Sequence, residues 1–200
     1  MCPKISDDKR QEQVNKIIDG AIKVFRIKGY EQTTMKDIRE SAGVSTGSLY
    51  MYFSNKEEIF IRVLEDTIIK QDLKKPLNKQ ENCWGKIEAY IENVKDYCNN
   101  IQDGIAPIAY EYSISAWRDE ERRKFINERY DLGVTYIKGI IQEGINLKEF
   151  SKDVDVDRIG NFVIVVFEGI NTITVSLGNK KINIEQQLDL LKYILDKELK

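Results

Sequence analysis

The chain has 200 residues, of which 42% are hydrophobic and 32% charged, with a formal net charge of −2. That apolar content builds a packed core and excludes global disorder, and the length suits one domain or two small ones. The near-neutral charge excludes a protein that coats nucleic acid by charge alone, and the lack of any histidine removes the commonest general base and metal ligand.

Residues 1–13 are charged and carry no apolar run, so no signal peptide is expected. The first predicted helix follows, with Val14, Ile17, Ile18, Ala21 and Phe25 on one face. Lys28 in its last turn and Gly29 after it mark the end. Thr34 with Asp37 starts a second helix as a capping box. Gly43 makes a tight turn, and Ser45 can cap a third helix. Ile38 and Ala42 form the buried side of the second helix, and Val44, Leu49 and Phe53 that of the third. This is a helix-turn-helix pattern, whose second helix can lie in the DNA major groove. Ser54-Asn55-Lys56-Glu57 is expected to cap a fourth helix bearing Ile59, Phe60, Val63, Leu64 and Thr67.

Beyond Lys74-Lys75-Pro76, Asn78 with Glu81 restarts a helix with Ile87, Ile91, Val94, Cys98 and Ile101 in one stripe. Gly104 and Pro107 predict a short or bent helix over 105–112. Asp119-Glu120-Glu121 opens a helix running to about Asn146, with four-apart charge pairs at 119–123 and 120–124. The apolar run 159–177 contains Asn161, Glu168 and Asn171, which predicts a buried helix and not a membrane span. Asn183 with Gln186 caps a last helix carrying Ile184, Leu188, Leu191 and Leu195. The seam between two parts is expected near residue 55, giving domains 1–55 and 56–200, with the fourth helix running across it.

The cysteines are Cys2, Cys83 and Cys98. An odd, widely spaced set fits neither a zinc site nor a disulfide framework. Cys83 and Cys98 share one predicted helix, roughly 22 Å apart, whereas a bridge needs Cα atoms within about 7 Å. Free thiols suit a reducing cytoplasm. With no glycine-rich phosphate loop, nucleophile elbow or metal-ligand spacing, neither an enzyme nor a cofactor or metal site is expected.

Residues 25–60 resemble the DNA-binding region of TetR-family transcriptional regulators. The matching pieces are Phe25-Arg26-Ile27-Lys28-Gly29-Tyr30, Thr33-Thr34-Met35-Lys36-Asp37-Ile38, Ala42-Gly43-Val44-Ser45-Thr46-Gly47-Ser48-Leu49-Tyr50-Met51-Tyr52-Phe53, and Asn55-Lys56-Glu57-Glu58-Ile59-Phe60. They cover about a quarter of the chain. The resemblance implies an all-α homodimer of about nine helices. A three-helix helix-turn-helix DNA-binding domain would precede a helical ligand-binding and dimerisation domain. Its expected partners are a palindromic operator in double-stranded DNA, a second copy of itself and a small-molecule effector that lowers DNA affinity. No membrane is implied.

By that resemblance Thr46 and Gly47 sit where bases are read, and Tyr50 and Tyr52 touch backbone or bases. Thr34, Lys36 and Lys56 face phosphate. Ser45 and Ser48 complete the start of the third helix, whose free N–H groups suit an anion. Capping alone accounts equally for Ser45 and Thr34, and an ion pair with Asp37 or Glu40 for Arg39. The dimer seam is expected on the last two helices, at Phe162, Val163, Val166, Phe167, Ile170, Leu188, Leu191 and Leu195. Trp84, Tyr90, Tyr97, Tyr110, Glu111, Trp117 and Tyr136 are candidate effector contacts, although aromatics at such spacing equally build core. An inward Glu111 would pair with a cationic ligand; an outward one is ordinary surface. The expected role is a cytoplasmic repressor released by its effector. The alternatives are an effector-independent regulator, an activator, or a helical dimer that binds no DNA.

Overall fold

The computed structural model describes residues 7–66 and 80–200. Among these are ten α-helices and no strand, one helix more than expected because a single extra turn precedes the last helix. The chain divides into two compact units, Met1–Leu73 and Lys74–Lys200. The division falls beyond residue 55 because the fourth helix buries Ile59, Phe60, Val63 and Leu64 and packs on the first.

The first unit holds α1 (Asp7–Gln32), α2 (Met35–Ala42), α3 (Thr46–Tyr52) and α4 (Lys56–Leu64). Ile17, Ala21 and Phe25 of α1 are fully buried, as are Ile38 of α2, Leu49 of α3 and Phe60 of α4. Phe25, Tyr30 and Phe60 form an aromatic cluster with ring centroids 4.8–5.9 Å apart. The helical path of α1 is broken at Gly29, whose φ is 75°. Gly43 ends α2 at φ 65°, ψ 33°, with its N–H on the carbonyls of Arg39 and Glu40; only glycine takes that left-handed turn without strain.

Two contacts lock α2 onto α1. A Cβ at Gly20 would stand 2.7 Å from the Ala42 backbone, so the helices cross where α1 has no side chain. The Lys28 ammonium lies 2.7 Å from Asp37 Oδ1. Asp37 also completes the expected capping box: its N–H donates to Thr34 Oγ1 at 3.2 Å, and its Oδ2 accepts from the Thr34 N–H at 3.0 Å. The start of α4 is capped one residue later than expected. Asn55 Oδ1 accepts from the Glu58 N–H at 2.8 Å, and Glu58 accepts from the Ser54 N–H at 2.7 Å.

The second unit holds α5 (Cys83–Asn99), α6 (Ala106–Ser115), α7 (Glu120–Asn146), α8 (Val156–Leu177), α9 (Asn179–Ile182) and α10 (Ile184–Leu199). Its core joins Ile87 and Ile91 of α5, Ile137 and Ile141 of α7, Val163 and Phe167 of α8, and Leu188, Leu191 and Leu195 of α10. Helix α8 is long and apolar enough to cross a membrane, a test that core helices also pass, and here it buries one face in this core with Asn171 and Thr174.

Several expected helix starts differ. Asn78 lies outside the described residues, as does Thr67; the observed cap of α5 is Asn82, which accepts from the Gly85 N–H at 2.7 Å. Asn183 makes no side-chain cap and instead adopts φ 47°, because it ends the α9 turn as well as opening α10. Asp119 caps α7 as expected but pairs three residues on, with Arg122 at 3.8 Å, while Arg123 turns back to the Trp117 carbonyl at 2.7 Å.

Two measurements test this account. Gly20→Ala should destabilise the first unit by about 1–3 kcal/mol, the usual cost of overpacking, seen as an earlier thermal transition. Hydrogen bonds from Lys28 and then from the Thr34 side chain and backbone hold the Asp37 carboxyl at about 2. A depressed carboxyl stabilises the fold above its unfolded value and stops doing so as pH falls through the folded one. An acid titration should therefore show a contribution lost between roughly pH 4 and 2, missing in Asp37→Asn.

Candidate nucleic-acid interface

Helix α3 is held from below by buried Leu49 and Phe53. Its outer side presents Ser45, Thr46 and Gly47, all exposed, with Tyr50 and Met51 beyond them at 54% and 67% exposure. Nothing lies within 4 Å of where a Gly47 Cβ would be, so another molecule's backbone or base edge can come close. Ser45 is the N-cap, accepting from the Ser48 N–H at 3.1 Å. Ser48 and Tyr52 are half-buried on the side facing α1. There a groove of about 610 Å³ is lined by Lys9, Glu12, Gln13 and Lys16 of α1 together with Ser45, Ser48, Met51 and Tyr52, and Lys16 pairs with Glu12 at 3.0 Å.

Lys9, Lys16 and Met51 were not among the sequence candidates. The signal for the lysines is the spacing of Lys9, Gln13 and Lys16, one polar face of α1. Nothing in the sequence marked that face as bordering α3.

The other expected contacts divide. Lys36 is exposed at the start of α2 and available to phosphate. Thr34 is exposed, but its hydroxyl is taken up by Asp37. Lys56 does not stand clear: its ammonium donates to the Tyr30 carbonyl at 2.7 Å and the Glu31 carbonyl at 3.2 Å, and lies 4.3 Å from the Tyr30 ring centroid. It ties the start of α4 to the end of α1. Arg39 does not pair with Asp37, which Lys28 holds; it bonds Glu40 Oε1 at 2.8 Å and Thr46 Oγ1 at 3.2 Å.

The expected effector residues fall into separate groups. Tyr90 stacks against Tyr136 and Phe167, with centroids 5.8 and 5.2 Å away. The void between these helices is only about 10 Å³, bounded by Tyr90, Ile91, Ile137, Val163 and Phe167. Tyr97 packs with Tyr110, Ile101 and Ala106 in a second cluster. The Tyr110 hydroxyl donates to Glu168 Oε2 at 3.0 Å, and Arg129 lies 3.9 Å from Glu168 Oε1. Burial, and then the Glu168 carboxylate, push the Tyr110 phenol far above its ordinary range. Trp84 sits under the Lys200 ammonium at 4.7 Å. Two of the candidates take the outward alternative. Trp117 is 65% exposed, stacked with its neighbour Arg118, and Glu111 is exposed on the outer side of α6. Neither walls an interior. A groove of about 550 Å³ between α5 and α10 is lined by charged groups, with ion pairs Lys192–Glu88 and Lys95–Glu185.

The expected dimer seam also needs correction. Val163, Phe167, Ile170, Leu188, Leu191 and Leu195 are all buried in this chain's own core, and Val166 is half-buried. Of the expected set only Phe162 is exposed. The uncovered apolar side chains on the same helices are Phe162, Val165, Ile173 and Leu177 of α8 and Leu190 and Tyr193 of α10. On α8 they run at three- and four-residue steps past Gly169, where an added Cβ would meet nothing. Helix α8 is apolar on both sides, and the more continuous stripe faces inward.

Cys83 and Cys98 are buried free thiols. Cys98 donates to Asn171 Oδ1 at 3.0 Å, and burial pushes its thiol up to about 11. Such a group is a core residue and not a reactive thiolate.

Two family descriptions match the chain. Residues 17–63 match the bacterial regulatory proteins of the tetR family, and residues 86–185 match the tetracyclin repressor-like C-terminal domain. The HTH-type transcriptional regulator YfiR of Bacillus subtilis strain 168 is 36% identical over 173 residues, covering 85% of this chain and 83% of that protein. Among solved structures, a TetR-family regulator from Cytophaga hutchinsonii superposes with a TM-score of 0.79 at 22% identity, over 96% of each chain. The regulator FadR from Bacillus subtilis in complex with stearoyl-CoA gives 0.67 at 23% identity, over 88% of this chain and 96% of that one. With its helix-turn-helix unit and its helical second unit both matched, the chain belongs to the TetR family of DNA-binding transcriptional regulators and is not an enzyme.

Proposed function

We propose that this regulator is a cytoplasmic repressor that binds a palindromic operator as a homodimer and is released by a small-molecule effector. The observation that carries the reading is the uncovered apolar stripe of Phe162, Val165 and Ile173 on α8 beside Leu190 and Tyr193 on α10. A contiguous apolar patch of this kind marks an interaction site. A second copy of the same helices supplies a self-complementary cover. Dimerisation answers a weakness of the DNA-binding part: residues 1–60 hold 10 basic and 9 acidic side chains, too little charge for one copy to bind tightly. Two recognition helices about 34–36 Å apart engage successive major grooves and double the contacts.

In this reading Thr46, Gly47 and Tyr50 meet base edges, and Lys36, Ser45 and Ser48, with Lys9 and Lys16, meet phosphate. Phosphate contacts set affinity and register, and the few base contacts set sequence choice. The effector enters the second unit among α5, α6, α7 and α8. The near-filled interior at Tyr90 and Phe167 means that an apolar ligand must part these helices. The Tyr110–Glu168–Arg129 group offers its polar end a partner. The FadR structure with stearoyl-CoA makes acyl-CoA thioesters the first compounds to try. A ligand shifts the operator equilibrium only through its different affinity for the two dimer forms.

Selection of genomic DNA fragments with the purified protein should yield one palindromic site, lost in Tyr50→Ala. Its affinity should fall steeply with salt. No enrichment by a folded dimer would sink the operator reading. Ile173→Glu with Val165→Glu should give a monomer by sedimentation, with operator affinity reduced by more than about tenfold, as loss of a central interface contact implies. Among acyl-CoA thioesters, one that releases operator from the native protein should do so less well with Glu168→Gln, at unchanged operator affinity. Equal release by the variant would remove Glu168 from the effector site.

A further inference from the structure

We propose that Arg39 fixes the Thr46 hydroxyl as a hydrogen-bond donor, so that the pair selects guanine at one position of each operator half-site. The inference rests on the reading of α3 as the base-contacting helix. Arg39 belongs to α2 and Thr46 is the first residue of α3. The guanidinium Nη1 donates to Thr46 Oγ1 at 3.2 Å across the turn, while Nη2 donates to Glu40 Oε1 at 2.8 Å. The neighbouring Glu40 thus holds a second corner of the guanidinium.

A threonine hydroxyl has one proton and two acceptor lone pairs, and normally rotates to suit its partner. Arginine has donors only. Once Arg39 occupies a lone pair, the hydroxyl proton must point away from the guanidinium. Thr46 is exposed, so that proton is directed outward. The remaining N–H groups of Arg39 lie beside it, and Arg39 is 33% exposed. What this corner offers to DNA is therefore mainly donors, the guanidinium N–H groups and the outward hydroxyl proton, with one hydroxyl lone pair left over.

In the major groove guanine shows two adjacent acceptors, N7 and O6; adenine shows one acceptor and one donor, and cytosine a donor. A corner in which donors outnumber the one remaining lone pair matches guanine at both positions, and adenine and thymine at one acceptor each, while cytosine offers it only an amino donor. Without Arg39 the hydroxyl proton is no longer turned outward and the guanidinium donors are gone, so the preference for guanine weakens.

The test is selection from random double-stranded DNA with the native protein, Thr46→Val, Thr46→Ser, Arg39→Met and Tyr50→Ala. The native protein should select guanine at one position per half-site. Thr46→Val, which keeps the shape and loses the hydroxyl, should weaken that preference roughly two- to tenfold, the span of one net hydrogen bond, and leave other positions unchanged. Thr46→Ser should retain it. Arg39→Met should broaden the same position toward adenine and cytosine. The proposal is overturned if Thr46→Val keeps every preference while Tyr50→Ala changes some. It is also overturned if Arg39→Met only lowers affinity for all sequences alike, the mark of a phosphate contact. If neither Thr46→Val nor Tyr50→Ala alters any position, the base-contacting role of α3 falls as well.

Discussion

Helix α3 has seven residues, too few to persist in water on its own hydrogen bonds. Its existence depends on Leu49 and Phe53 being buried beneath it, and theirs on the cluster that α1, α2 and α4 build. Phe25, Tyr30 and Phe60 fill the centre of that cluster. The bare backbone at Gly20 lets α2 come close enough for its turn to project α3 outward. Everything that α3 can do on DNA is set by this support, since a short helix carries its side chains no more accurately than its base is held.

The same unit uses its cations sparingly on its own surface. Lys28 is taken by Asp37, and Lys56 by two main-chain carbonyls at the end of α1, where the helix dipole is negative. Lys36 and Lys9 stay outward. Lys16 pairs with Glu12 and Arg39 with Glu40, so several cations of this near-neutral unit are matched within the fold. Affinity for DNA then depends on geometry more than on bulk charge.

Local chemistry was legible in the sequence, and tertiary choice was not. Thr34 with Asp37, Gly43, Ser45 and Asp119 act within three or four residues, and their roles followed from spacing alone. Lys56 grips carbonyls 25 and 26 residues away, a contact that no local pattern encodes. On α8 the sequence presented apolar residues all round. Periodicity cannot tell which side a chain fills itself; Val163, Phe167 and Ile170 belong to this chain's own core, and Val165 and Ile173 stay uncovered. Trp117 stands exposed in the tight turn that ends α6, and Glu111 takes the outward alternative on the outer side of that helix between buried Tyr110 and Tyr112.

The two sealed thiols have a practical consequence. Cys83 and Cys98 lie at opposite ends of α5, each fully covered, and each is held in the unreactive protonated form. A thiol of that kind meets an alkylating reagent only when its surroundings open. With Cys2 replaced by serine, the rate of modification at each end of α5 becomes a clock for the breathing of the second unit. Cys98 reports the end near Asn171 and Cys83 the end near Glu149. The protein thus carries two native probes at which the arrival of a small molecule can be timed, with no label added.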